Sequence, residues 1–311
     1  MAEILQRAGA WTFDGETVRI VPGTERRVHQ LRKTLGEVAV PLHAVAGIAY
    51  EPGGRKGGRL RLRLRDGADP LSQVASGRLP DASDPYQLAV EKDRTGVAAY
   101  FVEEVRNALL LEEVPDSPCD RFLLPGPPVP LTASGTDGTA SFDGERVQIE
   151  WNWMAEQSKT SGGPRRLALH ELDGVDWTPP LGWESGSLRF HPKGTHPTLK
   201  PQHDPNCLML WGVRQARETG GSVLLAAAIV ARLPHPRSQE AASYAGTSGP
   251  AQEAMPPVLT KGGHSGGTSA ADATDHDGLL RRLRELGELH TSGVLTDEEF
   301  RLAKKAILDR F

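Results

Sequence analysis

The 311-residue sequence predicts an α+β fold: two tandem β domains, each closed by a C-terminal helix, then a disordered linker and a small αα-hairpin. Three observations carry this expectation. The phrase Phe13-Asp14-Gly15-Glu16-Thr17-Val18-Arg19-Ile20 returns 129 residues later as Phe142-Asp143-Gly144-Glu145-Arg146-Val147-Gln148-Ile149. Runs with an apolar residue at every second place follow both copies, as half-buried strands require. An apolar pattern of helical type ends each copy. Most of the chain is therefore one domain written twice, over residues 1–113 and 135–234, with a Pro-rich linker at 114–134.

Asp-Gly between two alternating runs is a hairpin signal, because a tight turn needs positive φ and Gly supplies it at little cost. Trp11 and Phe13 alternate before the first Asp-Gly, and Val18 and Ile20 alternate after it; Ala140, Phe142, Val147 and Ile149 do the same in the second copy. A strand from Val40 to Tyr50 follows, matched by one from Leu167 to Trp177, with His43 and His170 at equivalent places. Gly58-Arg59-Leu60-Arg61-Leu62 aligns with Gly186-Ser187-Leu188-Arg189-Phe190, and Gly53-Gly54 and Gly57-Gly58 read as a hairpin turn. A last strand, Tyr86–Val90, corresponds to Asn206–Leu210 after a shared Asp-Pro. Val97, Phe101, Val105 and Leu109 recur every four residues in the first closing helix. Its counterpart, Val223–Leu233, is apolar nearly all round and is expected to be more buried.

From 235 to 275 the composition turns to Ala, Gly, Ser, Pro and Thr, too poor in apolar side chains to offset its ordering entropy. Over 276–311 a pattern returns. Leu279, Leu283, Leu286 and Leu289 form a stripe, Gly293 stops it, and Thr296-Asp297-Glu298-Glu299 reads as a capping box for a second helix carrying Phe300, Ile307 and Leu308. A hairpin of about 35 residues is below the size at which a lone core is usually stable, so its apolar face predicts self-association, a protein partner or packing back onto the chain's own repeats.

The repeated Phe-Asp-Gly hairpin, with the strands and helix that follow it, resembles the bacterial domain family DUF 4429 over roughly residues 6–112 and 135–234. That resemblance implies a pleckstrin-homology-like fold and brings no catalytic residues with it. The run Leu286-Gly287-Glu288-Leu289, Gly293-Val294-Leu295-Thr296-Asp297-Glu298-Glu299-Phe300 and Lys304-Lys305-Ala306-Ile307-Leu308 resembles the short C-terminal domain, SHOCT. This second resemblance implies a helical appendage that mediates oligomerisation or partner binding.

Composition limits what else to expect. The 36 basic and 40 acidic residues nearly cancel, so net charge points to neither nucleic acid nor an anionic surface. Cys119 and Cys207, at non-equivalent places in the repeats, make no disulfide framework and fit a reducing cytoplasm. The greasiest run, Val223–Ala231, falls well short of the roughly 20 residues that span a bilayer, so no integral membrane segment is expected.

The local anomaly is a basic strand: Arg59, Arg61, Arg63 and Arg65 share one face, with Arg55 and Lys56 just before and Arg26, Arg27, Arg32 and Lys33 earlier. Such a face can bind an anionic lipid, a phosphate-bearing ligand or another polyanion, or it can simply keep a strand solvated. His191, His196, His203 and Cys207 follow no standard zinc spacing, so no metal or other cofactor is expected. Trp151, Trp153, Trp177 and Trp183 are expected in the core, or as a partner groove where exposed. With no phosphate-cradling loop, dinucleotide fingerprint or nucleophile elbow, no catalytic residue is assigned. The sequence thus predicts a non-enzymatic cytoplasmic scaffold or adaptor, with an anion-binding module on the basic strand as the alternative.

Overall fold

In the computed structural model, which describes residues 1–54, 57–181, 184–195, 199–210 and 213–238, the first repeat opens one strand earlier than its signature phrase. Strand β1 (Ala2–Gln6) pairs with β2 (Gly9–Phe13), which pairs with β3 (Thr17–Pro22), and β4 (Val38–Pro41) completes an antiparallel sheet in that order. A short helix, α1 (Gln30–Leu35), joins β3 to β4. A three-stranded antiparallel sheet follows: β5 (Val45–Pro52), β6 (Gly58–Leu64) and β7 (Gln87–Val90), with helix α2 (Pro70–Ala75) between β6 and β7. Helix α3 (Thr95–Leu111) closes the repeat.

The second repeat retraces this path. Strands β8 (Leu131–Ser134), β9 (Gly138–Phe142), β10 (Arg146–Trp151) and β11 (Arg165–Ala168) form the four-stranded sheet, with helix α4 (Gln157–Thr160) between the last two. Strands β12 (Leu172–Thr178), β13 (Gly186–Pro192) and β14 (Cys207–Leu210) form the three-stranded one, and α5 (Val213–Val230) closes the repeat.

The repeated phrase is a hairpin in both copies, and Asp contributes as much to it as Gly. The Asp14 carboxylate accepts the N–H groups of Glu16 (3.0 Å) and Thr17 (2.8 Å), and Asp143 accepts those of Glu145 (2.8 Å) and Arg146 (2.7 Å). Those donors hold both carboxyls below the usual 3.8. Gly15 and Gly144 sit at φ of +111° and +114°, where a side chain would be strained.

Four expected boundaries move. The run Val40–Tyr50 is two strands in two sheets, because a 3₁₀ turn at Leu42–Ala44 carries the chain from one sheet to the other. Leu42, Ala44, Val45 and Ile48 are all buried across that turn, which hides the break in a pattern read as one strand. Residues 131–134, read as the end of the Pro-rich linker, are β8. Helix α5 starts at Val213, ten residues before the expected Val223. Finally, the start of the tail is packed: His235 is buried, donates to the Gly67 carbonyl (3.1 Å) and meets the Phe122 ring edge-on at 4.7 Å.

Each pair of sheets encloses a core. In the first, Trp11 meets Phe101 of α3 edge to face at 6.3 Å, among Phe13, Val18, Leu60 and Val105. The second core is larger than its own repeat. Beside Phe142, Ile149, Trp177 and Phe190 it takes in Leu31 of α1 and Leu71, Val74 and Ala75 of α2, all from the first repeat. These pack with α5, whose residues Val223–Ile229 are buried on every side, as the apolar composition predicts. Close approach is possible because Gly220 has no side chain: a Cβ there would lie 2.9 Å from Leu31 Cα. The Trp177 indole N–H reaches Ser222 Oγ on the same helix at 3.0 Å. The second core thus extends across the boundary between the repeats, while the first core remains a cluster of its own.

Candidate functional site

Period two places Arg59, Arg61 and Arg63 on the face of β6 opposite the buried Leu60 and Leu62, while Arg65 lies just past the strand's last residue, Leu64. Arg59 forms an ion pair with Asp81, and Arg61 lies 3.7 Å from Glu51 and 3.9 Å from Asp81. Hydrogen bonding from Arg59 keeps the Asp81 carboxyl below its ordinary range, consistent with a charged pair. Arg65 is a structural clamp: Nε and Nη2 donate to the Ser117 carbonyl at 2.9 and 2.6 Å, and Nη1 donates to the His43 carbonyl at 2.8 Å. It ties the segment after α3 and the 3₁₀ turn to the sheet. Among the described residues the Arg63 side chain makes no hydrogen bond or ion pair. It borders a cavity of about 520 Å³ beside Gly47, Arg106 and Leu110. Three of the four predicted arginines are therefore engaged inside the domain.

The other sequence candidates are dispersed. His43 and His170 are exposed and sit in equivalent 3₁₀ turns instead of on a strand. His191 meets Asp176 at 2.8 Å and His203 lies 3.4 Å from Glu156, while burial pushes the Cys207 thiol up. Among the described residues no three His, Cys, Asp or Glu side chains gather as a metal set. Trp177 is buried and Trp153 is 90% exposed. Arg55, Lys56, His196 and Trp183 lie outside the described residues, as do Leu279, Leu283, Leu286, Leu289, Phe300, Ile307 and Leu308 of the predicted hairpin.

A feature that the sequence reading did not single out is a pair of buried cations in equivalent places. In the second repeat Lys159 of α4 is inaccessible to solvent. Its Nζ donates to Asp137 Oδ2 (2.5 Å) and to the Cys207 carbonyl (2.7 Å), 5.1 Å above the Trp151 ring. Asp137 Oδ1 also accepts the Met209 N–H at 2.9 Å. Helix α1 carries Gln30-Leu31-Arg32 where α4 carries Gln157-Ser158-Lys159, so Arg32 is the counterpart of Lys159. Arg32 is only 6% exposed, yet Nε and Nη2 have no partner. Burial depresses its pKa, with Asp84 opposing the shift. Aligning the helices, with their shared Gln, would have revealed this pair.

A tandem of antiparallel β domains, each of four and three strands with a closing helix, is the class that this geometry defines. Residues 11–106 and 140–230 match the family model described as Domain of unknown function (DUF4429); these segments make up more than half of the chain, which belongs to that family. Residues 281–308 match the Short C-terminal domain. No curated protein matches the chain. Among the described residues no helix is long and apolar enough to cross a membrane.

Proposed function

We propose that the chain is a non-enzymatic cytoplasmic adaptor: a double β module that presents fixed surfaces, with the SHOCT segment as its self-associating or partner-docking end. The observation that carries this is the shared interior, in which α1 and α2 of the first repeat pack with α5 of the second. A packed seam of this kind fixes the spacing and orientation of two β domains, which suits a scaffold better than two independent binders on a string. Four plus three strands and a closing helix support the pleckstrin-homology-like reading of each domain. A sequence tether from 239 to about 275 would raise the local concentration of such modules around an assembled tail.

Two of the perturbed titratable groups, Asp69 and Tyr86, are structurally occupied, which supports the non-enzymatic part. Asp69 caps α2 by accepting the N–H groups of Leu71 and Ser72 and also takes the Tyr86 hydroxyl, while burial raises its pKa and that of Tyr86. Anion binding on the basic strand is less favoured, since Arg59, Arg61 and Arg65 already have partners within the domain.

Light scattering on size-exclusion peaks of the full chain and of residues 1–249 tests the reading, the latter being one compact unit. The full chain is expected to run as an assembly or to retain a partner, and the truncation as a monomer. Identical species with no partner held through the tail would sink the adaptor proposal.

A further inference from the structure

The two buried cations differ in one respect: the second repeat supplies its own anion and the first does not. Asp137 lies in the β8–β9 connection, directly before Gly138. The corresponding place in the β1–β2 connection, directly before Gly9, is Ala8. Ala8 and Arg32 line one cavity of about 740 Å³, within the range of small-molecule sites.

From this pairing we infer that the first repeat holds a small-molecule oxyanion, a carboxylate or phosphate group, at Arg32, in the place that Asp137 fills in the second repeat.

The unpartnered atoms are the right ones. Nε and Nη2 form the side edge of the guanidinium, the fork that receives two oxygens of a carboxylate or phosphate in parallel. A buried charge left without hydrogen bonds is costly, so a site keeping one is expected to find its counter-ion from outside. Asp84 is the carboxylate that acts on Arg32 electrostatically, but it is occupied by the Tyr86 N–H (2.9 Å) and the Gln87 amide (2.7 Å). Among the described residues Arg32 forms no ion pair. The other charges lining the cavity largely cancel: Arg7 pairs with Glu91 at 3.3 Å, Arg59 pairs with Asp81, and Arg27 is offset by Glu25. His29 also lines it, its ring held on the Leu31 N–H at 3.2 Å and its pKa lowered by burial and by Arg32. Gln87 Oε1, on the same cavity, is buried without a donor, so a ligand with a hydroxyl beside its oxyanion satisfies both orphans. Since solvent does not touch the two Arg32 nitrogens, binding has to include a side-chain adjustment at the cavity wall.

The test is isothermal titration of the full chain with inorganic phosphate and, separately, with acetate at fixed ionic strength. Saturable one-site binding is expected, and the stronger of the two probes identifies the oxyanion. Ala8→Asp, which builds in the carboxylate of the second repeat, should weaken binding at least about tenfold, as should Arg32→Lys, which keeps the charge and removes the fork. If Ala8→Asp does not fold, Arg32→Lys alone decides, because Lys is accepted at the same place in the second repeat. No saturable binding by the parent chain, or unchanged affinity in Arg32→Lys, overturns the assignment. Neither outcome bears on the oligomeric state that tests the adaptor reading.

Discussion

The two repeats share a strand plan and differ in how each handles what it buries. In the second, a buried ammonium has a carboxylate, a carbonyl and an aromatic face around it, and residues Val223–Ile229 of the closing helix are buried on every side. In the first, the equivalent guanidinium keeps an unpaired fork, and the closing helix ends in Leu110 and Leu111 at 77% and 83% exposure. The difference teaches that duplication fixed the scaffold and left burial free to diverge. The second copy became the more completely packed one, while the first lent it two short helices and kept a polar cavity.

Substitutions can break this contrast, beginning with the largest effect. Asp137→Ala should destabilise the chain by about 3–5 kcal/mol in chemical denaturation, because it strands a fully buried ammonium. If the loss is under about 1 kcal/mol, Lys159 is not held as a charged pair. Leu71→Ala, in the seam, should cost about 2–4 kcal/mol and should loosen α5 as well as α2. Hydrogen exchange in peptides from 222–230 would reveal that second effect, and protection unchanged there would separate the two helices energetically. Gly220→Ala places a methyl against the α1 backbone and is expected to cost about 1–3 kcal/mol; a neutral result would mean that α1 shifts freely.

The smallest expected effect is a pH dependence. His29 has a pKa below the usual 6.5 because burial and Arg32 disfavour its charged form, so the unfolded chain binds more protons near that pH. Its contribution is present above 6.5 and is lost as pH falls through the folded value. His29→Asn, which can keep the cap on Leu31, should flatten stability in that window. An unchanged pH profile would assign the slope to other groups.

Much of the strand plan could be read from the sequence, because Asp-Gly turns and period-two runs are local and occur twice. The elements that were missed are short or out of phase. β1 alternates buried and exposed residues over only five positions, and the 3₁₀ turn at Leu42–Ala44 leaves the burial pattern unbroken. Helix α2 did announce itself, since Asp69-Pro70 is a cap followed by Pro at the first helical place, but six residues carry little periodicity. The seam was not legible, because nothing local says that Leu31 and Leu71 face another repeat. The basic strand was legible as a pattern and misleading as a site. Whether an arginine is free depends on distant groups such as Asp81 and Ser117, which only the fold brings near.

The shared interior is tested most directly by hydrogen exchange across a denaturant titration of the full chain. One comparison decides it: the β2–β3 hairpin against the β9–β10 hairpin. Loss of protection at one common midpoint is expected of two repeats whose cores are coupled through the α1–α2–α5 seam. One hairpin still fully protected where the other has exchanged would mean that the seam does not couple the two cores, and the fused module would be wrong.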